Sequence, residues 1–166
     1  MTRSILLDRL KEFTESAVKD ILLPVMQQKE DKTPPDDRCA EVYRMRLIKS
    51  SAAKKAAPYI IHQIITGKDA QPIGERISAV ATVRSIFCVY NENEEEGALS
   101  LLNLMERLRM ALLRQVVIGK QFQLDLASGV ELLVYPDDTH PFYAGEMMTT
   151  WKIPAIEREV LYAHQK

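Results

Sequence analysis

Long apolar runs, a surplus of either charge, paired cysteines and glycine-rich phosphate loops are all missing from this 166-residue chain. No stretch approaches the roughly 20 consecutive apolar residues of a membrane-spanning helix. The opening run MTRSILLDRLKEF turns charged again at Asp8, too soon for the apolar core of a signal peptide. Neither export by that route nor membrane insertion is expected. Lys and Arg number 22 against 23 acids, so no overall basic field exists to hold a nucleic acid backbone. Arg44, Arg46, Lys49, Lys54 and Lys55 form a local basic strip, a pattern more often a solvated edge than a binding site. Cys39 and Cys88 lack CxxC spacing and read as free thiols of a reducing compartment.

Familiar chemical signatures are absent too. His62, His140 and His164 have no zinc-ligand spacing, and no P-loop, dinucleotide-binding or nucleophile-elbow motif occurs. The run from Asn91 to Gly97 superficially matches a calcium loop. Its glycine falls one place late, however, and Leu102 stands where the bidentate glutamate belongs. Asp137, Asp138 and His140 within PDDTHP are the residues an acid/base or metal site would use, but acids beside proline also make ordinary turns. The turn is the simpler reading. No catalytic residue, cofactor or metal is expected, and the chain is not expected to be an enzyme.

What the sequence does contain is a well-patterned globular chain, 46% hydrophobic and 27% charged, long enough for one core without disulfides or metal. A single domain over 1–166 is expected. It divides into an N-terminal helix to residue 24, a mobile loop at 27–40, an α/β core at 42–160 and a short tail at 161–166. In the first helix Ile5, Leu6, Leu10, Phe13, Ala17, Ile21 and Leu22 recur at helical spacing, with Thr2 or Ser4 as N-cap and Pro24 as the stop. Tyr43, Met45 and Leu47 then alternate with Arg44 and Arg46, the period of a half-buried strand. Tyr59 to Thr66 reads as a strand covered on both faces, and Gly67 to Glu75 as a loop. Arg76 to Tyr90 carries apolar residues at Ile77, Ala79, Ala81, Val83, Phe87 and Val89, all facing a core. Fifteen extended residues would reach about 50 Å, so a bulge, bend or projecting end is expected.

Asn91 or Asn93 can cap the next helix. Glu94, Glu95 and Glu96 then occupy its first turn, where carboxylates suit the positive end of the helix dipole. Ala98, Leu101, Leu102, Met105, Leu108 and Leu112 are assigned to its core stripe, with Leu99, Leu104, Met110 and Leu113 widening it. That is more apolar surface than one buried face requires. Phe122 to Leu126 and Val130 to Val134 read as a hairpin around Ala127-Ser128-Gly129. The loop from Pro136 to Gly145 leads to a last strand, Glu146 to Ile153, whose Met147, Thr149 and Trp151 face the core. Phe142 and Tyr143, aromatic in an otherwise polar loop, are candidates for a protein contact; the alternative is that they fold back on the sheet. The fold class is α+β: an antiparallel-rich sheet of about four to six strands with an N-terminal helix and one long central helix packed on it.

The stretches PYIIHQIITGKD, SIFCVYNENEEEGALSLLNLMERLRMALL, VIGKQFQLDL and VYPDDTHPFYAGEMMTTWKIPAIEREV, spanning residues 58–160, resemble the tail-terminator or tail-completion (minor tail) proteins of siphophages and prophages. The resemblance implies an α+β subunit that closes into a hexameric ring at the head-proximal end of the tail tube, stops tube growth and meets the head connector. It implies copies of the same chain, a tail tube protein and a connector protein as partners, and nucleic acid only as DNA passing through the ring. No catalytic residue comes with it. The implied locations are the bacterial host cytoplasm during assembly and the virion tail afterwards. Within that picture the Gly67 to Glu75 loop, the turn at Asn91, Glu92, Asn93 and Glu94, and the loop holding Asp137, Asp138, Phe142 and Tyr143 are the expected contact regions. A head-tail joining component is the neighbouring alternative, and two other classes remain: a nucleic-acid module using the Arg44 to Lys55 strip, and an enzyme using Asp137, Asp138 and His140.

Overall fold

The computed structural model describes residues 2–47, 56–137 and 139–159. Helix α1 runs Arg3–Val18, and strands β1 (Glu41–Arg44), β2 (Tyr59–Ala70) and β3 (Ser78–Tyr90) follow. Helix α2 spans Glu94–Gln115 and precedes β4 (Val117–Ile118), β5 (Phe122–Leu124), β6 (Val130–Val134) and β7 (Phe142–Lys152). The strands form one sheet in the order β1-β2-β3-β7-β5-β4, with β6 also on β7; only β1 and β2 pair in parallel. The architecture is thus mixed α+β with a mostly antiparallel sheet, seven strands where about four to six were expected. Both expected helices are present.

Helix α1 buries Leu6, Leu10, Thr14 and Val18, residues four apart that stack along one side of a helix. It ends at Val18, short of Pro24. The reason is a pair of backbone hydrogen bonds between Leu23 and Arg38, 2.9 and 3.0 Å long, that commits the chain to extended geometry. β1 also ends early: Met45 takes φ of 63°, the left-handed region, so the alternation read through Leu47 stops at Arg44. Its core-facing residue is Val42, while Tyr43 joins a smaller apolar cluster with Tyr59, Ile61, Cys88, Tyr90 and Phe142 on the other face.

β2 continues four residues past Thr66, so Gly67 to Ala70 are strand and the loop begins at Gln71. An added Cβ at position 67 would lie 2.3 Å from Arg3 Nε, so the Arg3 side chain that lies over this glycine would have to shift. The long strand and its neighbour accommodate each other through a bulge: the register shifts between Ile64 and Thr66. β3 buries every odd position from Ala79 to Val89, as the period-2 reading expects.

The hairpin expected from Phe122 to Val134 does not form. β5 and β6 instead lie end to end along the same edge of β7, Leu124 opposite Trp151 and Val130 opposite Thr149. The five residues between them leave the ladder at one point, where Asp125 N–H donates to Thr150 O at 2.8 Å. The tight hairpin is β4 to β5, whose turn holds Gly119 and Lys120 at positive φ. β7 begins at Phe142, so Phe142 and Tyr143 belong to the strand and not to a loop.

The core lies between the sheet and the two helices. Leu101, Leu104, Met105, Leu108 and Leu112 of α2 meet Phe87, Met147 and Trp151 there, with Leu6 and Leu10 from α1. Burying each such side chain contributes about 1.5–3 kcal/mol relative to exposure. Into this apolar layer the fold places a polar trio. His62 Nε2 lies 2.8 Å from Thr14 Oγ1 and His62 Nδ1 lies 2.7 Å from Ser85 Oγ, all buried.

Candidate assembly surfaces

Two of the expected contact regions come together because β3 and β7 are antiparallel and end at the same level, Tyr90 opposite Phe142. The chain leaves β3 into the Asn91 turn beside the point where it enters β7. Asn91 N–H donates to Pro141 O at 2.9 Å, joining the two segments. The Gly67 to Glu75 region is not part of this group. Ala70 pairs with Ser78 at the start of β3, so that loop lies at the opposite end of the sheet.

The Asn91–Glu96 turn is built for helix initiation. Asn93 is the N-cap, its Oδ1 accepting from Glu96 N–H at 3.0 Å, and Asn91 Oδ1 accepts from Asn93 N–H at 2.9 Å. A cap of this kind contributes about 1 kcal/mol. Glu94, Glu95 and Glu96 fill the first turn. Glu92 accepts from Tyr90 O–H at 2.9 Å, and burial, reinforced by that carboxylate, raises the Tyr90 pKa, so the phenol stays a donor.

Phe142 is buried against Tyr90, ring centroids 5.6 Å apart, and therefore supports the end of the sheet from within. Tyr143 lies over Gly97 and its hydroxyl is 2.9 Å from His140 Nδ1. Both aromatics thus fold back on the sheet, the alternative to an outward contact. Asp137 is exposed, and Asp138 lies outside the described residues, as do Lys49, Lys54, Lys55 and His164. Among the described residues no three His, Cys, Asp or Glu side chains stand together as metal ligands. In the basic strip, Arg44 is bound to Asp8 of α1. No described helix is long and apolar enough to cross a membrane.

Gly97 gives a direct test of the Tyr143 contact. Alanine in place of glycine inside a helix ordinarily stabilises by about 0.5–1 kcal/mol. At Gly97 an added Cβ would lie 2.2 Å from Tyr143 Cε2, so the ring must move. Gly97→Ala is expected to lower stability by about 1–3 kcal/mol in denaturant unfolding, and Tyr143→Ala in the same chain to remove most of that loss.

Two groups stand out among the exposed apolar side chains, beside scattered ones such as Leu22, Ile73 and Ile156. One is the outer face of α2, where Leu99, Leu102, Met110 and Leu113 are 52, 40, 42 and 38% exposed. Leu102 and Ala98, expected in the core, are exposed, and Leu104 takes the buried position. The other is the free side of β6 and the residue after it, with Leu133 at 51%, Val134 at 43% and Tyr135 at 37%.

Backbone geometry makes the β6 side more than an apolar patch. Tyr135 N–H donates to Ala144 O at 3.0 Å, so by antiparallel alternation the N–H and C=O groups of Leu132 and Val134 point away from β7. β6 has no second strand partner among the described residues. At the far edge, β1 pairs only with β2 among the described residues; Met45 N–H donates to His62 O, so the backbone groups of Val42 and the Arg44 N–H turn outward, while Arg44 O accepts from Arg46 N–H at 2.7 Å. Among the described residues the sheet is open, with an edge that lacks a partner strand at each end.

Beside the smaller apolar cluster, the sheet face away from the helices carries polar side chains tied across its strands. Arg84 on β3 donates from Nε and Nη2 to Gln63 Oε1 on β2 at 3.2 and 2.9 Å, and lies 3.9 Å from Glu146 on β7. Tyr135 O–H donates to the same Glu146 carboxylate at 2.9 Å. Burial first, and then Glu146, raises the Tyr135 pKa. One open groove of 460 Å³ lies between α1 and the turn after α2, lined by Arg9, Glu12, Phe13, Gln115, Ile118 and Lys120. Arg9 and Glu12 pair with each other there at 2.9 Å.

The sequence signals for these surfaces were incomplete. An apolar β6 read as half of a hairpin has β5 as its partner, so its free edge is hidden until β5 and β6 are placed end to end. The buried trio did leave a trace: His62 interrupts an isoleucine-rich strand and Ser85 interrupts the apolar odd positions of β3.

No family model matches the chain, and no curated protein matches its sequence. A solved structure similar to it aligns over 94% of this chain and 95% of its own, with a TM-score of 0.44 and 12% identity. A similarity that loose carries no argument about fold or function.

Proposed function

We propose that this chain is a structural subunit of a phage tail, the terminator that closes into a ring at the head-proximal end of the tail tube and meets the head connector. The observation that supports assembly is the open sheet with outward-facing backbone groups on β1 at one end and on β6 at the other. Unpaired edges are templates for another strand. A β6 edge laid against the β1 edge of the next copy is a head-to-tail contact, and such contacts generate a ring when the rotation closes. Leu133, Val134 and Tyr135 add apolar area to that edge. The tail assignment rests on the resemblance of residues 58–160 to tail-terminator proteins.

In this reading the chain works through surfaces and carries out no reaction. It terminates a tube by offering one annular face that matches the tube and another that matches only the connector. The experiment is tube assembly from a siphophage tail tube protein with and without this chain. Added protein should hold tubes at a length that no longer grows with time, whereas a joining component of the head side would leave tube growth unchanged.

A further inference from the structure

The outer face of α2 has a symmetry of its own. Leu99, Leu102, Glu106, Met110 and Leu113 follow one another at intervals of 3, 4, 4 and 3 residues, a palindrome centred on Glu106. At about 100° per residue these five positions fall within an arc of about 80°, roughly 150° around the helix from the buried stripe. They make a second seam of 3-and-4 spacing, the pattern by which two helices interlock.

We infer that α2 pairs with α2 of a second copy, antiparallel and about a two-fold axis at Glu106. In that arrangement Leu99 faces Leu113 of the second copy and Leu102 faces its Met110, so each apolar residue meets another. Parallel pairing fails on charge. The helix carries Glu94, Glu95 and Glu96 in its first turn and Arg114 in its last, so parallel helices set three carboxylates against three. Antiparallel helices set the acidic end of one against the basic end of the other, with Glu96 and Arg114 on the same flank of the seam. At the centre, Glu106 accepts from Arg109 Nε at 2.8 Å and Nη2 at 2.5 Å within each copy. Two such pairs meet there as a neutral quartet of two carboxylates and two guanidinium groups, instead of carboxylate on carboxylate. A two-fold contact saturates at two copies and builds no ring. The inference therefore concerns the chain before it meets a tube, and it does not rest on the tail reading.

The test uses the full chain. Sedimentation equilibrium should give twice the 18.9 kDa chain mass, reverting to one chain mass on dilution. Leu102→Lys with Met110→Lys sets lysine against lysine across the seam and should raise the dissociation constant about 100-fold or more, with an unchanged circular dichroism spectrum. Orientation is read by cysteines in a Cys39→Ser background. Glu106→Cys should cross-link to itself on oxidation. Leu99→Cys alone should not, because its two copies stand roughly 20 Å apart at 1.5 Å per residue, whereas Leu99→Cys with Leu113→Cys should. A parent chain that stays monomeric at every concentration overturns the inference, as does a dimer that cross-links through Leu99→Cys alone. A monomer whose double-lysine variant fails to cap tubes also overturns it and gives the seam to the tube or to a ring neighbour.

Discussion

Leu133→Lys combined with Val134→Pro is expected to abolish ring formation while leaving the fold intact. Leu133 and Val134 are half exposed, so little buried apolar area is lost. The Val134 N–H points away from β7, and proline there removes a donor that the ladder within the subunit does not use. Leu133 is already extended, the conformation that a following proline requires. Surface changes of this kind usually stay within about 0.5 kcal/mol, or a shift of roughly 2 °C in Tm for a chain of this size. For a partner strand the consequences are larger: the edge loses a hydrogen-bond donor, gains a ring clash and acquires a desolvated lysine. Cross-linking on assembled tubes should fall from closed rings to single subunits. A comparable pair on the interior strands β3 and β7, away from either edge, Thr82→Lys with Thr150→Lys, should leave rings in place.

Acid should destabilise the protein through His62. Burial drives its pKa down from the ordinary 6.5 to about 3, so the folded chain holds the ring neutral between Thr14 and Ser85. Neutral imidazole has one donor and one acceptor nitrogen, and the two hydroxyls take the complementary roles. The unfolded chain binds a proton near pH 6.5, and the folded chain only near pH 3. Between those values the unfolded state carries more protons, so stability is fully present above about pH 6.5 and falls as pH is lowered through the window. The slope is about 1.4 kcal/mol per pH unit, or about 3 kcal/mol by pH 4. Urea unfolding at pH 7, 5 and 4 measures it. His62→Gln keeps a donor and an acceptor without a charge, and the difference between parent and variant should shrink steadily as pH falls. Parallel curves would remove His62 from the account.

Much of the scaffold is legible in the sequence because period and burial coincide there. β3 buries the odd positions its alternation marks, and Asn93 with Glu94, Glu95 and Glu96 announces the start of α2. Where burial departs from hydrophobicity, the reading fails for a physical reason. Leu102 and Leu104 are the same residue type two positions apart, and nothing in a helix that is apolar nearly all round says which faces the sheet. The palindromic seam emerges only after the core side of α2 is fixed. β5 and β6 show the same limit at the level of strands. Their spacing suits a hairpin, but β7 is eleven residues long and offers both of them one continuous edge, so pairing with β7 satisfies more backbone than pairing with each other. Phe142 and Tyr143 were set apart by polar neighbours in sequence, yet a strand beginning one residue after Pro141 carries them into the sheet.

In the proposed role this chain closes a tube end through its sheet edges. Electron microscopy of tail tubes assembled with the parent chain and with the Leu133→Lys, Val134→Pro variant tests that directly. Parent samples should show one closed ring, one chain thick, at a single end of each tube, and variant samples bare ends. Bare ends with the parent chain, or rings that persist in the variant, would contradict it.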